Sequence, residues 1–171
     1  MLIIKIMTKG FNISPHEYYK DDKYDELYQE KWEDNMIPVH PNYSQKVDVI
    51  RTIIEKEYPE VKEYDEDVVH LARLGLKSIR KRDFRKAEIF FKKLILYQPD
   101  GYIGYRYLGI LEYRKGKIEE AKALMDKAIS LTLAFYHEGN FNVEKLDEIE
   151  EERRIIENRE PAERIFQLMD F

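Results

Sequence analysis

The chain has 171 residues, 43% of them hydrophobic and 37% charged, with a formal net charge of -5 and no cysteine. That length fits one compact domain able to bury its own core, and the absence of thiols excludes a disulfide framework or a thiolate metal site. The modest negative charge supplies no global attraction for nucleic acid or an anionic membrane.

The opening run Met1-Leu2-Ile3-Ile4-Lys5-Ile6-Met7 is too short to cross a bilayer and lacks the basic start and small-residue cleavage site of a signal peptide. A cytoplasmic, non-membrane protein is the expectation. Residues 1–43 read as an N-terminal segment with one amphipathic helix. Ser14-Pro15-His16-Glu17 is a capping box with Pro at the first helical position, and the helix that it opens carries Tyr24, Leu27, Tyr28 and Trp32 on one face. The proline-bracketed stretch from Asn35 to Asn42 is a linker.

Residues 44–171 read as a helical domain. Its first helix, over 45–58, puts Val47, Ile50, Ile54 and Tyr58 on one stripe and stops at Pro59. From there the chain says nearly the same thing twice. A shift of 34 residues superposes Leu71 on Tyr105, Leu74-Gly75 on Leu108-Gly109, Ala87 on Ala121, Phe91 on Met125 and Leu94 on Ala128, and Pro99 closes the first copy. Gly75 and Gly109 leave the helix surface bare where two backbones can approach, at a cost in helix propensity. Ala87 and Ala121 do the same on the second helix of each pair. Asp83 and Asp100 are predicted N-caps, and Gly116 a helix end.

Period and residue classes together resemble the tetratricopeptide repeat, with two copies at 68–101 and 102–135. The resemblance implies an all-α fold of stacked helical hairpins, an α-solenoid fragment. Such hairpins bury their faces only against neighbours, so capping helices are expected at the ends. The candidates are 45–58, 143–158 and 161–169, the second opened by Asn142 after a stop at Gly139, the third bearing Ile165, Leu168 and Met169.

The resemblance also implies a concave surface lined by the first helix of each hairpin. Its positions here are Val69, Ala72, Leu76 and Ile79, then Ile103, Arg106, Ile110 and Tyr113, with Tyr107, Arg73, Arg80 and Arg114 at the margins. Family members that clamp acidic chaperone tails use Lys and Asn in the groove. Ala72 and Leu76 stand there instead, so that clamp is not expected. An apolar groove suits a partner helix or hydrophobic peptide, or one of the chain's own flanking helices.

Residues 73–93 hold nine basic residues against two acidic ones, while 15–34 hold eight acids against three lysines and 144–160 eight acids against four bases. The basic run suits an acidic partner or RNA, or a solvated helix face. No Gly-rich phosphate loop or stacking-aromatic motif accompanies it, which weighs against nucleic acid. His16, His40, His70 and His137 share no ligand spacing. The expectation is a non-catalytic adaptor or chaperone-like module without metal or cofactor. A nucleic-acid-associated protein and a self-associating scaffold are the alternatives.

Overall fold

A computed structural model describes residues 41–134 and 143–169. The capping box at Ser14, the amphipathic helix after it, the opening Met1–Met7 run, Gly139 and Asn142 lie outside the described residues. Among those described there are seven helices and no strand: α1 Pro41–Glu57, α2 Val68–Arg80, α3 Phe84–Tyr97, α4 Tyr102–Arg114, α5 Ile118–Ala134, α6 Val143–Glu157 and α7 Ala162–Leu168. The fold is all-α, with adjacent helices packed in antiparallel pairs: α2 on α3, α4 on α5, α6 on α7, and α3 joining the first pair to the second.

Each boundary has a local cause. The carboxylate of Asp67 accepts hydrogen bonds from the backbone N–H groups of Val69 and His70 and so opens α2, a cap that the sequence reading did not pick out. Asp83 caps α3 as expected, accepting from the Lys86 N–H at 3.2 Å. Asp100 does not cap α4. The N-cap is Gly101, without a side-chain bond, and Asp100 accepts the Tyr64 hydroxyl at 3.0 Å instead. Helix α1 begins at Pro41, several residues before its expected start, because the first turn has no intrahelical use for the N–H that proline lacks.

The three antiparallel pairs turn in the same way. Arg82 N–H bonds the Ile79 carbonyl and Asp83 N–H that of Ser78; Gly116 N–H bonds Tyr113 and Lys117 N–H bonds Glu112; Arg159 N–H bonds Ile156 and Glu160 N–H bonds Ile155. This double bond over a left-handed residue is the Schellman closure. The left-handed residues are Arg82 (φ 62°), Gly116 (φ 83°) and Arg159 (φ 53°). The first two are 34 positions apart, as are Gly75 and Gly109.

The core forms where the pairs stack. A Cβ on Gly75 would sit 2.5 Å from the ring of Phe91, and one on Gly109 would sit 3.2 Å from Leu124 and Met125. Both glycines therefore mark close crossings, α2 with α3 and α4 with α5. Gly104 marks a third, with Ile95 of α3 at 2.8 Å from the same imagined atom, and it is the point where the first pair meets the second. Ala87, Ala121, Phe91, Leu94, Tyr105, Leu108, Met125 and Ala128 are all buried. The Tyr105 hydroxyl is satisfied by the carbonyl of Pro99 at 3.0 Å.

The flanking helices sit on opposite sides of this stack. Helix α6 packs on α5 and α4, and α7 on α6 and α4. Helix α1 does not continue the stack. It lies across α5 and α3, the second helices of the two pairs, burying Val47 and Ile54.

Candidate functional site

Helix α7 packs on α4 and α6, and α6 on α5 and α4, while Leu76 of α2 shares a pocket with the end of α7. Phe166 of α7 is buried, its ring centroid 5.2 Å from that of Phe84, and the Arg114 guanidinium stands 4.0 Å above the Phe84 ring. Glu163 pairs with Arg82 in the turn between α2 and α3. At the end of α4 the Tyr113 hydroxyl donates to the backbone carbonyl of Glu160. A helix of seven residues has little propensity to form alone, and these contacts are what hold α7 in place.

Two turns further up α4, Arg106 is 4% exposed and bonds to α6. Its Nε donates to Glu152 at 2.9 Å and its Nη2 to Glu152 at 2.6 Å and to Glu148 at 3.1 Å. This is a two-pronged carboxylate contact of the kind only arginine makes. Burial alone would push the guanidinium down, but the Glu152 hydrogen bond and charge hold it above its ordinary range. Burial pushes Glu152 up. On the other side of α6, Arg153 donates to Asp126 of α5 at 2.7 Å and also reaches Glu157. The second Asp126 oxygen is buried without a partner, and burial raises this carboxyl from 3.8 to about 6 against the pull of Arg153.

What remains open is a pocket of about 380 Å³ at the free end of α7. Leu76, Tyr107, Leu168 and Met169 give its apolar walls, and Arg106, Lys145 and the carboxylates Glu148, Glu151 and Glu152 its polar side. The Tyr107 ring stacks on Phe91 at 5.0 Å, so this wall is backed by the core of the first pair. Its hydroxyl is pushed up to about 12 by burial, and it has no role as a base near neutrality.

The twelve groove positions expected from the sequence therefore divide. Leu76, Arg106 and Tyr107 come together in the pocket. Ala72, Ile79 and Ile110 are buried in the interior, and Tyr113 is buried under α7. Val69, Arg73, Arg80 and Arg114 are exposed, and Ile103 is half-buried. Because Ile110 has no exposed surface, a charge placed there reports on folding rather than on binding. Arg106 was expected on a binding surface, and its charge is instead taken up by α6. The signal for its partner was present in the sequence as Glu148 and Glu152, one helical turn apart on an acidic helix with a thin apolar edge.

The basic stretch 73–93 is partly answered by acids from elsewhere in the chain, Arg82 pairing with Glu163 and Lys92 with Glu57, and partly from within, Lys92 also pairing with Glu88. Among the described residues no group of His, Asp and Glu is arranged to hold a metal ion, and no helix is long and apolar enough to cross a membrane. Compared with models of protein families, with curated proteins and with solved structures, the chain matches none of them.

Proposed function

We propose that this chain is a tetratricopeptide-type, non-catalytic interaction module that binds a protein segment, a helix or an apolar peptide, at the pocket that α2 and α4 share. The repeat reading is supported by the 34-residue spacing of the glycine notches and of the first two left-handed turn residues. On this reading α6 and α7 are a third, degenerate hairpin that ends the stack.

One observation carries the functional reading. A short amphipathic helix, α7, packs on α4 with Ile165 and Phe166 buried, Phe166 against Phe84 of α3, and beside its end lies the apolar Leu76–Tyr107 pocket. The same surface chemistry that receives α7 suits a second short segment lying beside it or in its place. Aromatic and arginine side chains bordered by apolar floor are where binding energy concentrates.

A photo-cross-linking residue placed at Leu76 tests this in cells of the source organism. The expected result is an adduct with one defined protein, lost when Tyr107→Asp is added while the circular-dichroism spectrum and melt stay those of a folded chain. An adduct absent from Leu76, or one indifferent to Tyr107, removes the proposal. No observation favours the nucleic-acid reading over this one.

A further inference from the structure

Helix α1 is joined to the body differently from the other six. Helices α2 to α7 each pack on a neighbour in sequence, whereas α1 lies across α5 and α3. Among its described side chains, Val47 and Ile54 are the fully buried apolar ones, with Tyr43 and Ile50 half-buried beside them. Val49 and Ile53 stand in solvent. A pocket of about 490 Å³ opens along the helix, with Ile50 and Ile54 on one wall and Lys92 of α3 and Leu108 of α4 on the other, so the packing beneath α1 is incomplete.

Two polar contacts pin the helix near its ends. The Tyr43 hydroxyl donates to Glu119 of α5 at 3.0 Å, and Lys92 of α3 donates to Glu57 at 3.0 Å. Both carboxylates are exposed, so water competes for each pin.

Between the pins, docking is opposed. The Nε of Arg51 is buried and has no acceptor. An enclosed N–H without a partner costs free energy that the same group in water does not. The Arg51 charge also acts on Lys127 of α5, whose ammonium is held below its ordinary range first by burial and then by that guanidinium, with Asp48 pulling the other way. Seating α1 therefore brings two cations together in a partly dry place.

We infer that α1 is a releasable strap: it lifts from α3 and α5 as one unit while α2 to α7 stay folded, and so uncovers the surface of those two helices. The contrast with the rest of the chain sets this order of opening. Helix α4 is buried from Gly104 to Tyr113 except at Tyr107, and nothing can leave it without dismantling the core. Helix α1 gives up Val47, Ile54 and two exposed contacts, and its departure returns Arg51 to water. Contiguous units with few buried apolar contacts are the ones that open below the global unfolding free energy.

Hydrogen exchange of the full-length chain, read by mass spectrometry in peptides from α1 and α5 and corrected for intrinsic rates, tests this. The central amides of α1, around Arg51, should exchange together and roughly tenfold or more faster than those of α5. Two variants make the test specific to the contacts named. Tyr43→Phe with Glu57→Gln removes both pins and should speed exchange in α1 by roughly three- to tenfold, with α5 unmoved. Arg51→Met keeps an unbranched apolar stem but removes the unpartnered N–H and the charge, and should slow exchange in α1 by roughly threefold or more. Protection of α1 equal to that of α5, a response of both helices together, or no slowing by Arg51→Met overturns the inference and makes α1 part of the cooperative core.

Discussion

The pair α2–α3 and the pair α4–α5 carry Leu-Gly and Ala at the same 34-residue spacing, yet they are buried very differently. Helix α2 buries one stripe, Leu71, Ala72, Gly75, Ser78 and Ile79, and keeps a wet face. Helix α4 is buried from Gly104 to Tyr113 with a single half-open position at Tyr107, and the charged groups Arg106 and Glu112 go in with it. The difference lies in position and not in pattern. The second pair is enclosed by α3 on one side, α6 and α7 on another, and α1 across its back. In a stack, a central helix pair is a core and a terminal one is a surface.

The sharpest way to break that comparison is at the contact joining the two pairs. Phe91 fills the Gly75 notch and stacks on Tyr107. Phe91→Ala should therefore cost about 3–5 kcal/mol in urea denaturation, as for other fully buried aromatics. A comparable loss, about 3–5 kcal/mol, is expected from Arg153→Ala, because it leaves the enclosed Asp126 carboxyl without its ion-pair partner. The same assay would expose a merely superficial α6 by showing a loss below that range.

Titration sharpens the same seam. Asp126 is raised from its ordinary 3.8 to about 6 by burial. The folded state then binds the proton more tightly than the unfolded one, so this group stabilises fully below about pH 4. That contribution is lost as pH rises toward 6, on the order of 2–3 kcal/mol. Between those limits the parent should lose stability relative to Asp126→Asn. Carboxylates held low by lysine or arginine, such as Glu88 and Glu148, run the other way, so the difference between the two proteins is the quantity to follow.

The glycine notches give a smaller contrast. Gly75→Ala drives a methyl into the Phe91 ring, which is buried and cannot swing away, and should cost about 1–3 kcal/mol. Gly109→Ala meets the Leu124 Cβ and the flexible Met125 chain at 3.2 Å, too close by only a few tenths of an ångström, and regains helix propensity, so thermal melts should place it within about 1 kcal/mol of the parent. The smallest effects belong to the turns. Gly116→Ala should cost about 1 kcal/mol at φ 83°, while Arg159→Gly, relieved of a left-handed side chain, should gain up to about 1 kcal/mol.

Much of the first layer of this fold is legible in the chain. Leu71, Gly75, Ala87 and Phe91 announce one hairpin and their counterparts 34 residues on announce another. Asp83 and Gly116 mark boundaries through chemistry confined to a few neighbouring residues. Asp100 fails as a cap because its side chain is claimed by Tyr64, a residue 36 positions away that no local rule could supply. The candidate site is legible only in part for the same reason. Leu76 and Tyr107 can be named from periodicity, but whether Arg106 faces a partner or the interior depends on Glu152, 46 residues downstream.

The sequence by itself determined helices, notches and turns, because helical periodicity, the left-handed turn and the missing Cβ of glycine are properties of short stretches. Tertiary structure alone decided that α7 would pack on α4 and against Phe84 of α3, that α1 would lie across α3 and α5, and that a guanidinium would be buried against α6. Those outcomes depend on which distant surfaces fit together, and that fit exists only once the hairpins have stacked.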